Sequence, residues 1–197
     1  MPRTRSVDMA NRMSEQTKQK LLDAFFELLK VENYEKIAII DITEKAAVSR
    51  RSFYRAYESK ADLLNKYLDG IVVSWRGHTS HLIINSYSQL IDEIFKFWTK
   101  YISELTVLVK ANLSFFVLDK LNTEFPKYFD KLYSGFQYEE GWVNQSEKEK
   151  ELYIKYMFRL SIGALWNVFS HWLLNPDDMT REELVLLVKS GFLQLGS

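Results

Sequence analysis

Arg50, Arg51, Tyr54 and Arg55 crowd four polyanion-binding side chains into one short stretch of the chain. Guanidinium and phenol groups bond phosphate oxygens and can reach the donor and acceptor pattern of base edges in a major groove. They do so only if a rigid element holds them on one free face. Ile39, Ile42 and Ala46 fall on one face at helical spacing, and Val48, Phe53 and Tyr57 continue that inward set beyond a turn. Phe53 and Tyr57 are four apart, so together they can anchor a short helix to the one before it, leaving Tyr54 opposite. Residues 37–64 therefore predict two short helices, a tight turn and the start of a third, the outline of a helix-turn-helix DNA reader. A basic face alone is more often a solvated helix surface on any helical protein; the inward set and the turn distinguish this stretch from that ordinary case.

Two serines set the helix starts. Ser49 stands where an N-cap belongs, its hydroxyl placed to accept an orphan amide hydrogen and to define where the basic helix begins. Ser59, with Asp62 three residues later, resembles a capping box with Asp where Glu or Gln is usual. The amino end of the helix that starts at Lys60 is a natural phosphate seat, with Lys60 beside it. The candidate DNA-binding set is thus Ser49, Arg50, Arg51, Ser52, Tyr54, Arg55 and Lys60.

From Ser14 to Leu68 the chain resembles the N-terminal domain of TetR-family transcriptional regulators. The resemblance rests, in order and without gaps, on Asp41, Ile42, Ala46, Val48, Ser49, Phe53, Tyr54, Tyr57, Ser59, Lys60, Asp62 and Leu63. It covers a little over a quarter of the chain. Three positions depart from the family pattern. Ala47 stands in the turn where the family usually has Gly, so either the turn avoids positive φ or it accepts strain. Asn33 replaces the usual Gly after the first helix, a benign change if the backbone there is left-handed. Ala38 or Ile39 takes the place of a Thr or Ser, removing one hydroxyl contact to phosphate and leaving affinity to Arg50, Arg51, Tyr54 and Lys60.

Composition bounds the rest. The 197 residues, 47% of them hydrophobic, can bury a core and form one or two domains. The absence of cysteine excludes disulfide and thiolate chemistry and fits a reducing cytoplasm. The opening MPRTRSVDMANRMSEQ has no apolar core, so it is not a secretory signal, and the apolar run from Leu160 to Leu174 is interrupted by Asn167, Ser170 and His171. A cytoplasmic protein without a membrane span is expected. Net charge is zero, yet twelve basic against nine acidic residues lie in the first sixty, so the basic excess falls in the reader. Arg3, Arg5 and Arg12 precede the first helix in what reads as an unstructured arm, free to track a DNA backbone.

The whole chain reads as all-α: a three-helix DNA-binding domain over residues 1–59, arm included, and a helical ligand-binding and dimerisation domain over 60–197. Helices are predicted over 14–32, with Leu21, Leu22, Phe25, Leu28 and Leu29 inward, and from Lys60 to about Trp75, ending near Gly77. Further helices are predicted over 86–101, 103–118, 126–136, 146–174 and 180–195, with a loop over 135–144. No strand pattern or internal repeat is visible. The last two helices carry more apolar surface than a small domain needs, and small residues Ser161, Gly163 and Ala164 permit close approach. Ile162, Leu165, Trp166, Phe169, Leu184 and Leu187 are the candidate dimer surface. The resemblance implies the same, since TetR-family proteins commonly dimerise through their last two helices.

Aromatic residues make up 15% of the chain, and many lie in its middle. A bundle so lined can leave an apolar cavity, for which Trp98, Tyr101, Phe115, Phe116, Phe158 and Asn167 are the candidate lining; for any one of them a plain core position is the commoner role. Catalytic motifs are missing: there is no Gly-rich phosphate loop, nucleophile elbow or His-Glu-x-x-His helix. His78 and His81 lie three apart without a carboxylate cluster, so they read as surface histidines, and His171 reads as a packed or interface histidine. Neither metal nor cofactor is expected. The resemblance implies a homodimer, usually a repressor, on a palindromic double-stranded operator, answering to a small apolar or aromatic ligand. The alternative is a partner-dependent coregulator: GALWNVFSHWLLNPDDMTREEL resembles a TetR branch that includes a coactivator of dihydroxyacetone kinase genes.

Overall fold

The architecture comes from a computed structural model, which describes residues 3–84, 86–124, 126 and 146–195, and side chains within these ranges except at 3–13, 87, 147, 154 and 192–195. Every regular element among the described residues is helical, the all-α class expected. The chain forms two compact units, Met1–Gly70 and Ile71–Ser197. They divide inside a helix, whereas the sequence reading places the boundary before Lys60. Leu63, Leu64 and Leu68 supply the reason: they are buried with the core residues of the first unit.

In the first unit α1 (Arg3–Leu29), α2 (Ile39–Lys45) and α3 (Arg50–Ala56) pack on one another, followed by the opening turns of α4 (Lys60–Thr79). Leu21, Ala24, Phe25, Phe26 and Leu29 of α1 are buried with Ile42, Phe53, Leu63 and Leu64, while Leu22 and Leu28 are half-buried. Phe25 meets Tyr34 edge-on at 6.2 Å between centroids and Phe26 meets Tyr67 at 5.0 Å. Aromatic pairs in this geometry add about 0.5–1.5 kcal/mol beyond the area they bury.

Three boundaries differ from the sequence reading. The segment expected as an unstructured arm is helical from Arg3 onward. It holds no Pro or Gly after Pro2, so a helix nucleated by the packed turns of α1 can propagate backward residue by residue. At its other end α1 stops at Leu29, and the amides of Val31 and Glu32 both bond the Leu28 carbonyl in a closing turn. Finally, α4 passes through Gly77 to Thr79; a helix-interior glycine costs only about 1 kcal/mol, too little to end a packed helix.

The second unit is built from α5 (Tyr87–Trp98) with a 3₁₀ turn at Thr99–Tyr101, α6 (Ile102–Lys110), α7 (Ser114–Glu124), α8 (Glu147–Leu174) and α9 (Arg181–Leu195). The single helix expected over 103–118 is two. Asn112 adopts φ 60°, and the amide of Leu113 turns back to the Leu108 carbonyl at 2.8 Å. Asn enters the left-handed region more readily than most residues, which makes it a helix terminator here. The helix expected over 126–136 and the loop over 135–144 lie, Pro126 apart, outside the described residues.

Caps define the two long helices. Ser146 accepts the Glu149 amide while Glu149 returns its carboxylate to the Ser146 amide at 2.9 Å. Thr180 and Glu183 do the same for α9, at 3.2 and 2.7 Å. Hydrogen bonds from these capping groups hold the carboxyls of Glu149 and Glu183 below the usual carboxylate range. Between α5 and α8 lies a dense aromatic cluster: Trp98 touches Phe169 at 4.8 Å and Trp166 at 5.9 Å, and Phe95 meets Phe169 edge-on at 5.7 Å.

Candidate nucleic-acid interface

The candidate interface begins at the α2–α3 turn. Ala46 caps α2, Ala47 takes φ 52°, and the Val48 amide bonds the Thr43 carbonyl at 3.0 Å. Of the two possibilities open for this turn, it is the strained one. A left-handed residue with a Cβ costs roughly 1–2 kcal/mol, which the buried residues on both sides of the turn must offset. Ser49 follows in an extended conformation, and its Oγ accepts the Ser52 amide at 3.1 Å, the N-cap expected of it. The Ser52 hydroxyl lies 2.9 Å from that of Ser49, so it faces its own cap.

The seven residues of α3 divide by face. Phe53 is fully buried and touches Tyr57, whose ring is also buried. Burial, more than the nearby carboxylates of Glu15 and Asp62, pushes the Tyr57 phenol up, so it stays neutral. Arg50, Arg51, Tyr54 and Arg55 are exposed, and the three guanidinium groups make no ion pair with any described residue. Four donors-rich side chains on one short face, anchored by a buried ring behind them, form the arrangement anticipated from the sequence.

Neighbouring positions are less as anticipated. Asn33 is not left-handed; only Ala47 and Asn112 among described non-glycine residues are. Its side-chain oxygen instead accepts the Glu35 amide at 3.0 Å, closing a local turn, the bond Asn readily makes to its own backbone. Ala38 is the N-cap of α2 and has no oxygen to offer, so only the Asp41 carboxylate serves that end, accepting the Ala38 amide at 2.7 Å. Ile40, 41% exposed in the first turn of α2, was not singled out from sequence; its place between the inward Ile39 and Ile42 was the available signal. At α4, Ser59 accepts the Asp62 amide at 3.0 Å, while Asp62 reaches the Glu58 amide at 2.9 Å, one residue beyond a regular capping box.

Lys60 corrects the sequence reading most directly. Its ammonium donates to three backbone carbonyls, those of Tyr34 at 2.6 Å, Ile37 at 3.0 Å and Glu35 at 3.2 Å, and lies 4.3 Å from the centre of the Tyr34 ring. An ammonium has three hydrogens and all are engaged, so it faces the protein and not a phosphate.

The candidate ligand lining does not gather at one place. Trp98 and Phe158 are buried, Trp98 inside the aromatic cluster, and Tyr101 packs on Phe97 at 5.2 Å. Phe115 is 72% exposed on α7, with Phe116 beside it half-buried. Asn167 is exposed and lines a surface cleft of about 220 Å³ with Val168, His171, Trp172, Met179 and Leu187. Phe158 and Asn167, nine positions apart on α8, point to opposite sides of that helix, which a list of positions cannot convey.

The candidate dimer surface needs a similar correction. Ile162, Leu165, Trp166, Phe169 and Leu184 are all buried within the chain itself, and only Leu187 is exposed. They pack against α5 and α6 because these carry the complementary apolar faces. What α8 turns outward is a different row, Leu152, Tyr156, Leu160 and Gly163, continued by Asn167 and His171. Their spacing of three and four keeps them on one side of the helix. Nothing lies within 4 Å of a Cβ placed on Gly163 or on Gly191 of α9, so both glycines border open space.

The histidines also differ from the sequence reading. His78 is not a surface residue: its imidazole is 15% exposed, bonds Glu93 at 2.7 Å and packs between Trp75 and Phe97. His171 is open to solvent, 3.9 Å from Asp178. Among the described residues no three metal-ligating side chains gather, and no helix is long and apolar enough to cross a membrane.

Residues 21–67 match the family model of bacterial regulatory proteins, tetR family. Within those residues the chain carries a TetR-family domain. Solved structures with the same fold extend the likeness over both units. A TetR transcriptional regulator from Streptococcus agalactiae 2603V is 19% identical, with 92% of this chain and 96% of that chain covered and a TM-score of 0.62. The dihydroxyacetone kinase operon activator DhaS is 15% identical, with 91% and 95% covered and a TM-score of 0.56. At such identities the likeness establishes the fold alone. No curated protein matches the chain.

Proposed function

We propose that this chain is a TetR-family regulator that binds a palindromic operator as a homodimer, with one α3 from each subunit in successive major grooves, and represses transcription until a small apolar or aromatic effector is bound. The observation that carries the reading is the division of α3: Phe53 buried behind, and three guanidinium groups that pair with no described residue in front, with Tyr54 beside them. Arg50 and Arg51 follow directly on the Ser49 cap and belong to the turn of α3 that would read base edges. Tyr54 and Arg55 suit phosphate. The unit Met1–Gly70 would serve DNA and the unit Ile71–Ser197 effector and partner, in the cytoplasm with the operator.

For dimerisation, the support is the outward row Leu152, Tyr156, Leu160 and Gly163, together with the exposed Leu186 and Leu187 of α9. Apolar side chains in a continuous row favour burial against a second copy at roughly 25 cal/mol per Å² of apolar surface. Gly163 and Gly191 would let the facing helices come close. Effector control would act through α4, the helix that contains the boundary between the compact units.

Binding to duplex DNA flanking the protein's own coding region, measured against a scrambled duplex and across salt concentrations with the solution mass in parallel, tests the reading. Saturable, salt-sensitive binding by a dimer supports it. A folded dimer without preference for any such duplex sinks direct operator binding. That outcome would favour a second reading, a coregulator acting through a protein partner. The row on α8 would then face a different chain.

A further inference from the structure

We propose that Lys60 is a positioning residue that ties the first turn of α4 to the chain entering α2, and so sets the orientation of the DNA-reading helices without touching DNA. The proposal rests on the reading of α3 as a DNA reader and adds how α4 holds it. Three carbonyls, of Tyr34, Glu35 and Ile37, converge on one ammonium at 2.6, 3.2 and 3.0 Å. These carbonyls belong to the link immediately before α2, whose N-cap Ala38 has no side-chain oxygen. The start of α2 is therefore held from behind by a cation on another helix, where a hydroxyl cap would have held it locally. The Tyr34 ring beneath the ammonium, 8% exposed, adds a cation–π contact and limits where the side chain can go. A phosphate oxygen could be bonded only by surrendering one of the three carbonyls. Because α4 continues unbroken from Lys60 to Thr79, any displacement of α4 along its axis moves the point that holds α2.

The experiment compares Lys60→Met with the unaltered protein on duplexes that the unaltered protein selects from a random pool. The proposal expects affinity to fall by about 5- to 150-fold with the slope of log affinity against log salt unchanged, the scale of a coupling and not of a lost ion contact. It also expects faster amide hydrogen exchange confined to the segment from Glu35 to Ile42. A slope smaller by about 0.9 per subunit would mean a phosphate contact and overturn the proposal. Unchanged affinity would overturn it as well. Should Lys60→Met not fold, reductive methylation of the unaltered protein decides: a clamped Lys60 reacts slowly with and without DNA. A Lys60 that reacts as fast as exposed lysines when free, and is protected by DNA, refutes the clamp. If the unaltered protein selects no duplex, the DNA reading fails, while the methylation rate of the free protein still judges the clamp.

Discussion

Helix α3 and helix α8 both turn one side to a buried core and the other to solvent, yet they expose opposite chemistry. The outer face of α3 is charged and short, Arg50, Arg51, Tyr54 and Arg55; that of α8 is long and largely apolar, Leu152, Tyr156, Leu160 and Gly163. Guanidinium groups in water keep their hydration until a phosphate or base edge replaces it, so they can stand exposed at little cost. An apolar row in water gains only when it is covered. One face is thus suited to a polyanion and the other to another protein surface, and the two demands are met by separate compact units. Within each unit the division between inner and outer residues decides which substitutions harm folding and which harm only association.

Substitutions of the inner residues come first in size. Phe53→Ala removes the ring on which α3 rests and should cost about 3–5 kcal/mol, read as a lowered unfolding midpoint in denaturant; a cost below 1 kcal/mol would refute the anchored geometry. Leu165 and Leu160 make a paired test on α8. Leu165→Ala should destabilise the subunit by about 2–5 kcal/mol, whereas Leu160→Glu should leave the fold intact and shift the protein toward monomer in sedimentation. If Leu160→Glu leaves the mass unchanged, the outer row is not the dimer surface.

Arg50→Ala should leave the melting temperature unchanged and weaken specific DNA binding by about 1–3 kcal/mol in titrations with a selected duplex. Equal binding by the variant would remove α3 from the interface. Ala47→Gly relieves the φ of 52° and should raise stability by up to about 1 kcal/mol, with a small rise in midpoint; destabilisation would show that the turn is not left-handed in solution. The smallest effect is that of Asp62. The Glu58 amide first, then Lys66, hold its carboxyl below the usual range. Its contribution is therefore present above about pH 4, where an unfolded aspartate is ionised, and disappears as pH falls through the lowered folded value. Asp62→Asn should flatten the dependence of stability on pH in that acid window, and an unaltered acid slope would count against the capping contact.

Much of the first unit could be read directly because its signals are local. Ser49 caps α3, Phe53 faces inward and Tyr54 outward, since each follows from helical spacing over a few residues. The starts expected at 146 and 180 were legible for the same reason, and the structure adds the capping pairs Ser146 with Glu149 and Thr180 with Glu183. Lys60 was not. Its partners lie 23 to 26 residues away along the chain, and a lysine beside a helix start looks the same in sequence whether it faces a phosphate or three carbonyls. The strongest apolar run, Ile162 to Phe169, was assigned to a partner although the subunit's own core claims it. The thinner row of Leu152, Tyr156 and Leu160 passed unnoticed because a ring count favours the cluster and not the face.

The amino-acid sequence by itself determined the helical class, the position and polarity of the basic helix α3, and the starts of the long C-terminal helices. Each depends on propensity, spacing and capping within one or two turns, which a linear string records. Only the tertiary structure decided which apolar face each long helix buries, where Lys60 directs its charge, whether Ala47 is strained and that His78 lies against Glu93. Those outcomes depend on which distant residues compete for the same buried space and the same hydrogen bonds, and that competition exists only once the helices are packed.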